Sequence, residues 1–410
     1  MGKRFIGLFG ALAIAIGLFG AFVADNWSYN ALVAGHPYVA FTNSTDQIRD
    51  FDYQRANYDA RVAQGDNPLL IFGSSELGPE RGAFYPARFW TNNNYGMDLQ
   101  TCGKPYVTDL WDAIMVGAFA KDGIQNNKVV LSPSMQWFLG ATHYGDVYQR
   151  RFFSQNGFDT FMSNPKLSDG LKNEVLERVK AHHINEGQNP LDTLVKFIDY
   201  QAECFQSGVN LRYRTLTTES DASSVDYRDY GSHNQAIPEG RFGDAQTPDW
   251  PEIQQEALAA TQEKSGNELG VSDKWYKKDY QGWLNYTAKW DRDAYDVLDS
   301  TEIEEFDLLL ETCKEAGIEA LVVISPVNGP AWDQTPYTKE YREQYYDMIR
   351  EHCEKYGAKT ADLSGYEDVK YYFRDDEHPS EYGWSIINEQ IYNFYMGDTS
   401  DNAGNSEAEE

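Results

Sequence analysis

Two short segments hold residue types that together perform acyl-transfer chemistry. The first is Gly73-Ser74-Ser75-Glu76, which follows an apolar run at 69–72; the second is Asp375-Asp376-Glu377-His378, near the end of the chain. A serine hydroxyl attacks poorly until a base takes its proton, and a histidine base needs a carboxylate to fix its tautomer and stabilise the imidazolium. His378 has the type for the base, and Asp375 has the type and spacing for the orienting carboxylate. Placing both on one tight loop preassembles two members, so the fold has only to deliver a serine. Each piece alone is weak, because Gly-Ser-Ser is ordinary turn composition. Metal binding by Asp375, Asp376, Glu377 and His378 is disfavoured: consecutive residues point in different directions, and no second histidine motif accompanies them. His182 and His183 read as solvent-facing residues of a polar helical stretch.

The elements that must position these residues read as α/β. Apolar or β-branched runs at 69–72, 128–134, 318–326 and 358–364 have strand character, and helical patterns follow them, the first at about 107–120. Thr301 with Glu304 forms a capping box for a helix ending at Gly317. Thr335 and Pro336 read as N-cap and first residue of the next helix, and Ser380 as the cap of a last helix reaching about Tyr395. This alternation predicts a mainly parallel sheet, whose sites form where loops leave the carboxyl ends of strands. Four polar loops occupy such places: 73–77, 132–138, 325–332 and 374–384. Between about 140 and 290 the pattern is mostly helical, with segments at 167–183 and 189–205 and a polar stretch at about 216–248, and predicts a large insertion.

Charge and the chain ends restrict the setting. A formal charge of -29 excludes nucleic acid as a partner, since phosphate backbones select Lys and Arg surfaces. Residues 5–24 are apolar and uncharged, enough to span roughly 30 Å as a helix. Lys3 and Arg4 precede this span and Asp25 follows it, which predicts a single-pass anchor with residues 1–4 cytoplasmic and the rest extracellular. A cleaved signal peptide is the competing reading, but its apolar region is normally shorter, and Phe22 disrupts a small-x-small cleavage site. Residues 25–65 then form a juxtamembrane segment, 66–396 the globular domain, and 397–410 a disordered acidic tail. Cys102, Cys204, Cys313 and Cys353 lack zinc spacing. Outside the membrane they allow two disulfides, with Cys313–Cys353 the favoured pair and four buried thiols the alternative.

Taken in order, the anchor, GSSEL at 73–77, SPSMQWF at 132–138, SPVNGPAW at 325–332, and Asp375-x-x-His378 with Ser380-x-x-Gly383 resemble the SGNH/GDSL hydrolase superfamily. Within it they resemble the DltD family of D-alanyl-lipoteichoic acid biosynthesis proteins. The resemblance runs from the anchor to about residue 396. It implies an SGNH-hydrolase-like three-layer α/β fold, with Ser75 as nucleophile and Ser74 as the alternative. For the oxyanion it implies the Ser75 N–H, Gly103 in TCGKPY and, in place of the superfamily's asparagine, Gln136. Here Ser134 and Met135 interrupt a segment that the family writes Ser-Pro-Gln-Trp-Phe, which weakens the Gln136 correspondence. Glu76, Trp137, Asn328 and Trp332 are candidates for the substrate groove; the other reading has Trp137 packing beneath the insertion and Asn328 and Trp332 shaping a turn.

The activity implied is transfer of D-alanyl groups to lipoteichoic acid at the Gram-positive cell membrane. The acyl group would come from a DltB-like membrane O-acyltransferase, with no metal or organic cofactor. Competing readings are an SGNH acetyltransferase or esterase acting on another surface polysaccharide, a non-catalytic scaffold of a membrane acyltransferase, and a cleaved, secreted esterase. A chain at -29 repels a polyanionic acceptor unless its groove is locally neutral, which directs attention to lysines such as Lys277 and Lys278.

Overall fold

The computed structural model describes residues 41–42, 48–63, 65, 67–77, 82–140, 145–184 and 244–397, with residues 17, 18, 20 and 21 near the N-terminus. Apart from those four, the expected span 5–24 lies outside the described residues, as do Cys204, the segment 189–205, most of 216–248 and the tail beyond 397. Among the described residues no helix is long and apolar enough to cross a membrane.

Six strands form one sheet in the order β1-β3-β2-β4-β5-β6, with every neighbour parallel. They are β1 (Phe41–Thr42), β2 (Pro68–Gly73), β3 (Asp98–Gly103), β4 (Lys128–Leu131), β5 (Glu319–Ile324) and β6 (Lys359–Asp362). The first helices are α1 (Phe51–Ala63), α2 (Pro86–Asn92), α3 (Asp109–Asp122) and α4 (Met135–Gly140). Then come α5 (Gly145–Phe152), α6 (Gln155–Met162), α7 (Asp169–Ala181), α8 (Trp250–Gln262), α9 (Asp273–Lys278) and α10 (Tyr280–Thr287). The last are α11 (Glu302–Ala316), α12 (Gly329–Trp332), α13 (Lys339–Tyr356) and α14 (Glu381–Met396).

Continuous apolar runs suit strands covered on both faces. Leu70, Phe72, Val129, Leu131, Val322 and Ile324 pack into one core with α3, α11 and α13. Leu69, Ile71, Val130, Leu321 and Val323 pack into a second core with α2, α8 and α14. Each such side chain, removed from water, contributes roughly 1.5–3 kcal/mol. Helices α4 to α10 lie between β4 and β5, where the sequence predicts the helical insertion.

Several expectations are corrected. Strand β3, DLQTCG, is hidden in the sequence by its polarity; α1 satisfies it, with Arg61 paired to Asp98 and Asn57 donating to Gln100 at 3.1 Å. Helix α13 starts at Lys339 after Thr338, not at Pro336, because the Thr335 hydroxyl instead donates to Trp332 O and closes α12. Thr301 does precede α11, yet its side chain makes no capping bond; Gly317 ends the helix with φ 70° as expected. Cys313 and Cys353 are not paired: both are free and buried, as is Cys102. Burial pushes the Cys313 and Cys353 thiols up to about 12, so they behave as small hydrophobes. His182 is buried rather than solvent-facing, with its Nε2 against the Glu305 carboxylate.

Candidate active site

Strand β2 is flanked by β3 on one side and β4 on the other, and the chain continues outward in both directions. The switch point of the sheet therefore lies between the carboxyl ends of β2 and β4, where open α/β sheets bind ligands. The Ser132 N–H extends the ladder by donating to Phe72 O at 2.9 Å, so the loops after β2 and β4 start side by side.

At the end of β2 two glycines face each other in register, Gly73 and Gly103. A Cβ on Gly103 would sit 2.0 Å from Gly73 O, and one on Gly73 would sit 2.1 Å from Glu76 Oε1. The absence of side chains lets Glu76 fold back beneath the turn. Its carboxylate accepts the Ser74 N–H at 2.8 Å and the Ser132 hydroxyl. The two serines then differ sharply. The Ser74 hydroxyl donates to Lys104 O at 3.2 Å and accepts the Tyr106 N–H at 3.0 Å, which commits it to joining two loops. Ser75 starts a 3-10 turn, is half-buried, and has no hydrogen bond to its hydroxyl among the described residues.

The base loop is organised by one oxygen. Asp375 Oδ1 accepts His378 Nδ1 at 2.9 Å, the His378 N–H at 2.8 Å and the Glu377 N–H at 3.2 Å, while Arg374 Nε lies 3.3 Å from Oδ2. The Arg374 N–H donates to His378 O at 2.8 Å, closing the loop on itself. Asp376 O is held from below by the Asn328 N–H at 2.8 Å and Trp332 Nε1 at 3.0 Å. After the loop, the Ser380 side chain caps α14 by accepting the Gly383 N–H at 3.2 Å. A Cβ on Gly383 would meet Tyr372 O at 2.4 Å, which explains the Ser-x-x-Gly spacing.

Electrostatics bring the two segments together. Burial disfavours a charged His378, but the Asp375 charge and hydrogen bond outweigh it, Glu377 adds to them, and the imidazole is pushed up to about 10. Asp375 is held well below the carboxylate range by His378 and Arg374, against its own burial. Burial and then Asp375 push Asp376 up to about 7. Burial raises Glu377 well above its usual range; His378 opposes this, while Asp376, Asp375 and Glu76 reinforce it. Burial also raises Glu76, and His378 lowers it, so the β2 turn and the base loop share one electrostatic site. His378 Nε2 is shielded from solvent without a hydrogen-bond partner among the described residues, and Glu377 Oε1 lies 3.8 Å away. Behind Glu76, burial holds Asp112 of α3 well above its usual range, with repulsion from Glu76 and Glu302.

The remaining sequence candidates divide. Gly103 stands at the turn, and Gln136 is half-buried in the first turn of α4 with no side-chain hydrogen bond among the described residues. Trp137 is 7% exposed within the core beside α3, and Phe138 packs on Phe306 and Tyr345. Asn328 caps α12 and Trp332 is fully buried, so both support the base loop and offer no surface to a groove. Sequence reasoning missed the parts that Ser132, Ser134, Lys104, Tyr106 and Glu377 play. Ser134 Oγ donates to Glu377 Oε2 at 3.5 Å, and Tyr106 takes a left-handed φ of 75° that presents its N–H to Ser74. The run of polar residues directly after β4 was the available signal for Ser132 and Ser134; Tyr106 gave none.

Fold and site together define an α/β protein with its polar centre, a serine turn beside a His–Asp pair, over the carboxyl edge of a parallel sheet. The comparison with known families is more specific. The family described as DltD protein matches residues 45–396, and the chain belongs to that family. It is 25% identical over 333 residues to Protein DltD of Bacillus subtilis (strain 168), covering 80% of this chain and 82% of that one. It is likewise 25% identical over 331 residues to Protein DltD of Staphylococcus aureus (strain NCTC 8325 / PS 47), covering 80% and 81%.

Proposed function

We propose that the protein is a serine-dependent O-acyltransferase of an SGNH-hydrolase-like three-layer fold, anchored at the cell membrane with its domain outside. It would transfer D-alanyl groups to lipoteichoic acid. The observation that carries this reading is His378, bound to Asp375 at 2.9 Å through Nδ1 and with no hydrogen-bond partner at Nε2 among the described residues, its charge acting on Glu76 in a turn whose second serine hydroxyl has no hydrogen bond among those residues either. Membership of the DltD family supports the substrate assignment.

In this reading Ser75 Oγ attacks the acyl carbonyl while His378 Nε2 takes its proton, and Asp375 stabilises the imidazolium formed. The Ser75 N–H, with Gly103 and Gln136 as further candidates, would receive the oxyanion. His378 returns the proton to the leaving group of the donor, a DltB-like membrane O-acyltransferase or its product. A polyol hydroxyl of the acceptor then attacks the Ser75 ester and gives its proton to His378, which protonates the departing serine.

A serine-directed phosphonate tests the assignment. Label should map to Ser75, persist in Ser74→Ala and vanish in Ser75→Ala. Ser74→Ala should lose about 0.5–1.5 kcal/mol of stability, since it removes the part-buried hydrogen bonds that join it to the Tyr106 N–H and the Lys104 carbonyl. Label surviving Ser75→Ala would overturn the nucleophile, and undiminished D-alanylation in a Ser75→Ala strain would overturn the transferase.

A further inference from the structure

We propose that α9, α10 and the turn to Trp290 form a docking ridge for an anionic polyol-phosphate chain; this deepens, and rests on, the acyl-acceptor reading above. From the start of α9 to Trp290, segment 273–290 carries four lysines, Lys274, Lys277, Lys278 and Lys289, against two acids, Asp273 and Asp279, within a chain of charge -29. All four lysines are exposed. Among the described residues Lys277 pairs only loosely, with Asp273 at 3.6 Å, and the other three make no ion pair.

The same segment holds six aromatic residues, whose rings meet in two groups. Tyr276 stacks on Tyr280 with centroids 5.2 Å apart, and Tyr280 on Trp283 at 6.2 Å. Tyr286 meets Trp290 edge-on at 5.5 Å, and Trp290 stacks on Tyr295 at 5.7 Å. Tyr286 is 58% exposed; Trp275, Tyr276, Trp283 and Trp290 are half-buried, leaving ring surface open. Ammonium groups beside open rings complement a polymer that alternates phosphates with C–H-rich polyol units. The chain's net charge of -29 opposes such a polymer, and the lysines of this ridge offset that repulsion locally.

The ridge leads to the chemistry. The Ser272 N–H, one residue before α9, donates to Arg374 O at 2.8 Å, and Trp283 hydrogen-bonds the Asp376 side chain. The Trp283 ring also packs 5.6 Å from that of Trp332, which holds Asp376 O. A chain laid on these rings therefore ends at the loop that carries His378.

The test uses full-length protein and a defined poly(glycerol phosphate) oligomer without D-alanine, with affinity measured across a salt series. Lys277→Glu/Lys278→Glu should weaken oligomer binding at least about tenfold. Lys274→Gln/Lys277→Gln/Lys278→Gln should flatten the salt dependence by roughly 0.7 in log–log slope per lysine, as for a single-stranded polyanion. Phosphonate labelling at Ser75 and the thermal midpoint should stay as in wild type. Oligomer binding unchanged in both variants would overturn the ridge. So would variants that lose binding to phosphatidylglycerol vesicles but keep the oligomer, which would make the patch a headgroup contact. Failure of Ser75 labelling in wild type, with ridge-dependent oligomer binding intact, would sink the acyl-transfer reading and leave the ridge standing.

Discussion

Replacing Asp375 by Asn tests how the base loop works, because it keeps an acceptor oxygen for the loop N–H groups and removes only the charge. The rise of His378 from the usual 6.5 to about 10 corresponds to about 5 kcal/mol in favour of the imidazolium. A unit charge pair at the observed 2.9 Å interacts by about 6 kcal/mol at an effective dielectric of about 20, so Asp375 by itself accounts for an effect of this size. Asp375→Asn should therefore move the His378 titration down by at least roughly two pH units, read by NMR of the labelled imidazole. Turnover of a chromogenic D-alanyl ester should fall by on the order of 10⁴-fold, the scale known for amide replacement of an orienting aspartate. The wild-type rate should keep rising with pH toward about 10, whereas the variant should reach its lower plateau at a more acid pH. The pairing also stabilises the fold. Because the folded pKa of His378 is raised, its contribution is complete below the unfolded value and is lost as pH rises through about 10. The depressed Asp375 acts in the opposite sense and loses its contribution as pH falls. A His378 titration that stays within about one pH unit of 10 in Asp375→Asn, or turnover within about tenfold of wild type, would refute this account.

Two further perturbations probe the turn and the acids beneath it. Gly103→Ala places a Cβ 2.0 Å from a backbone oxygen that cannot swing aside, so a cost of about 1–3 kcal/mol or more and reduced Ser75 labelling are expected. Calorimetry and labelling check this, and a wild-type result in both would show that the paired glycines are not needed. Asp112 is raised well above its usual range, so the folded state keeps a proton that the unfolded chain releases near pH 4, and stability declines as pH rises through the folded value. Asp112→Asn should flatten that decline in denaturant titrations between pH 5 and 9; an unchanged slope would mean that the carboxyl is ionised in place.

What could be read in advance depended on how local each determinant was. Strands β2, β4 and β5 were legible because burial on both faces demands unbroken apolar runs, and the Asp375–His378 pair because three residues suffice to bring both groups together. Strand β3 was not, since its Asp98 and Gln100 are satisfied by side chains of α1 some forty residues earlier. The different fates of Ser74 and Ser75 rest on Lys104 and Tyr106 across the sheet edge. Asn328 and Trp332 had the right types for a groove; only their long-range bonds to Asp376 O reveal them as supports. His182 looked exposed because the partner that buries it, Glu305, is far away in the chain.

The order of the parts along the chain has a consequence for biosynthesis. The serine turn closes strand β2, whereas its base sits between β6, the last strand, and α14, the last helix. A chain made from its N-terminus presents the proposed nucleophile long before the group proposed to activate it. Until α14 docks and Ser380 caps it, Ser75 is an ordinary hydroxyl. In the proposed reading, serine and base therefore meet only at the final act of folding, and an unfinished chain holds the one without the other.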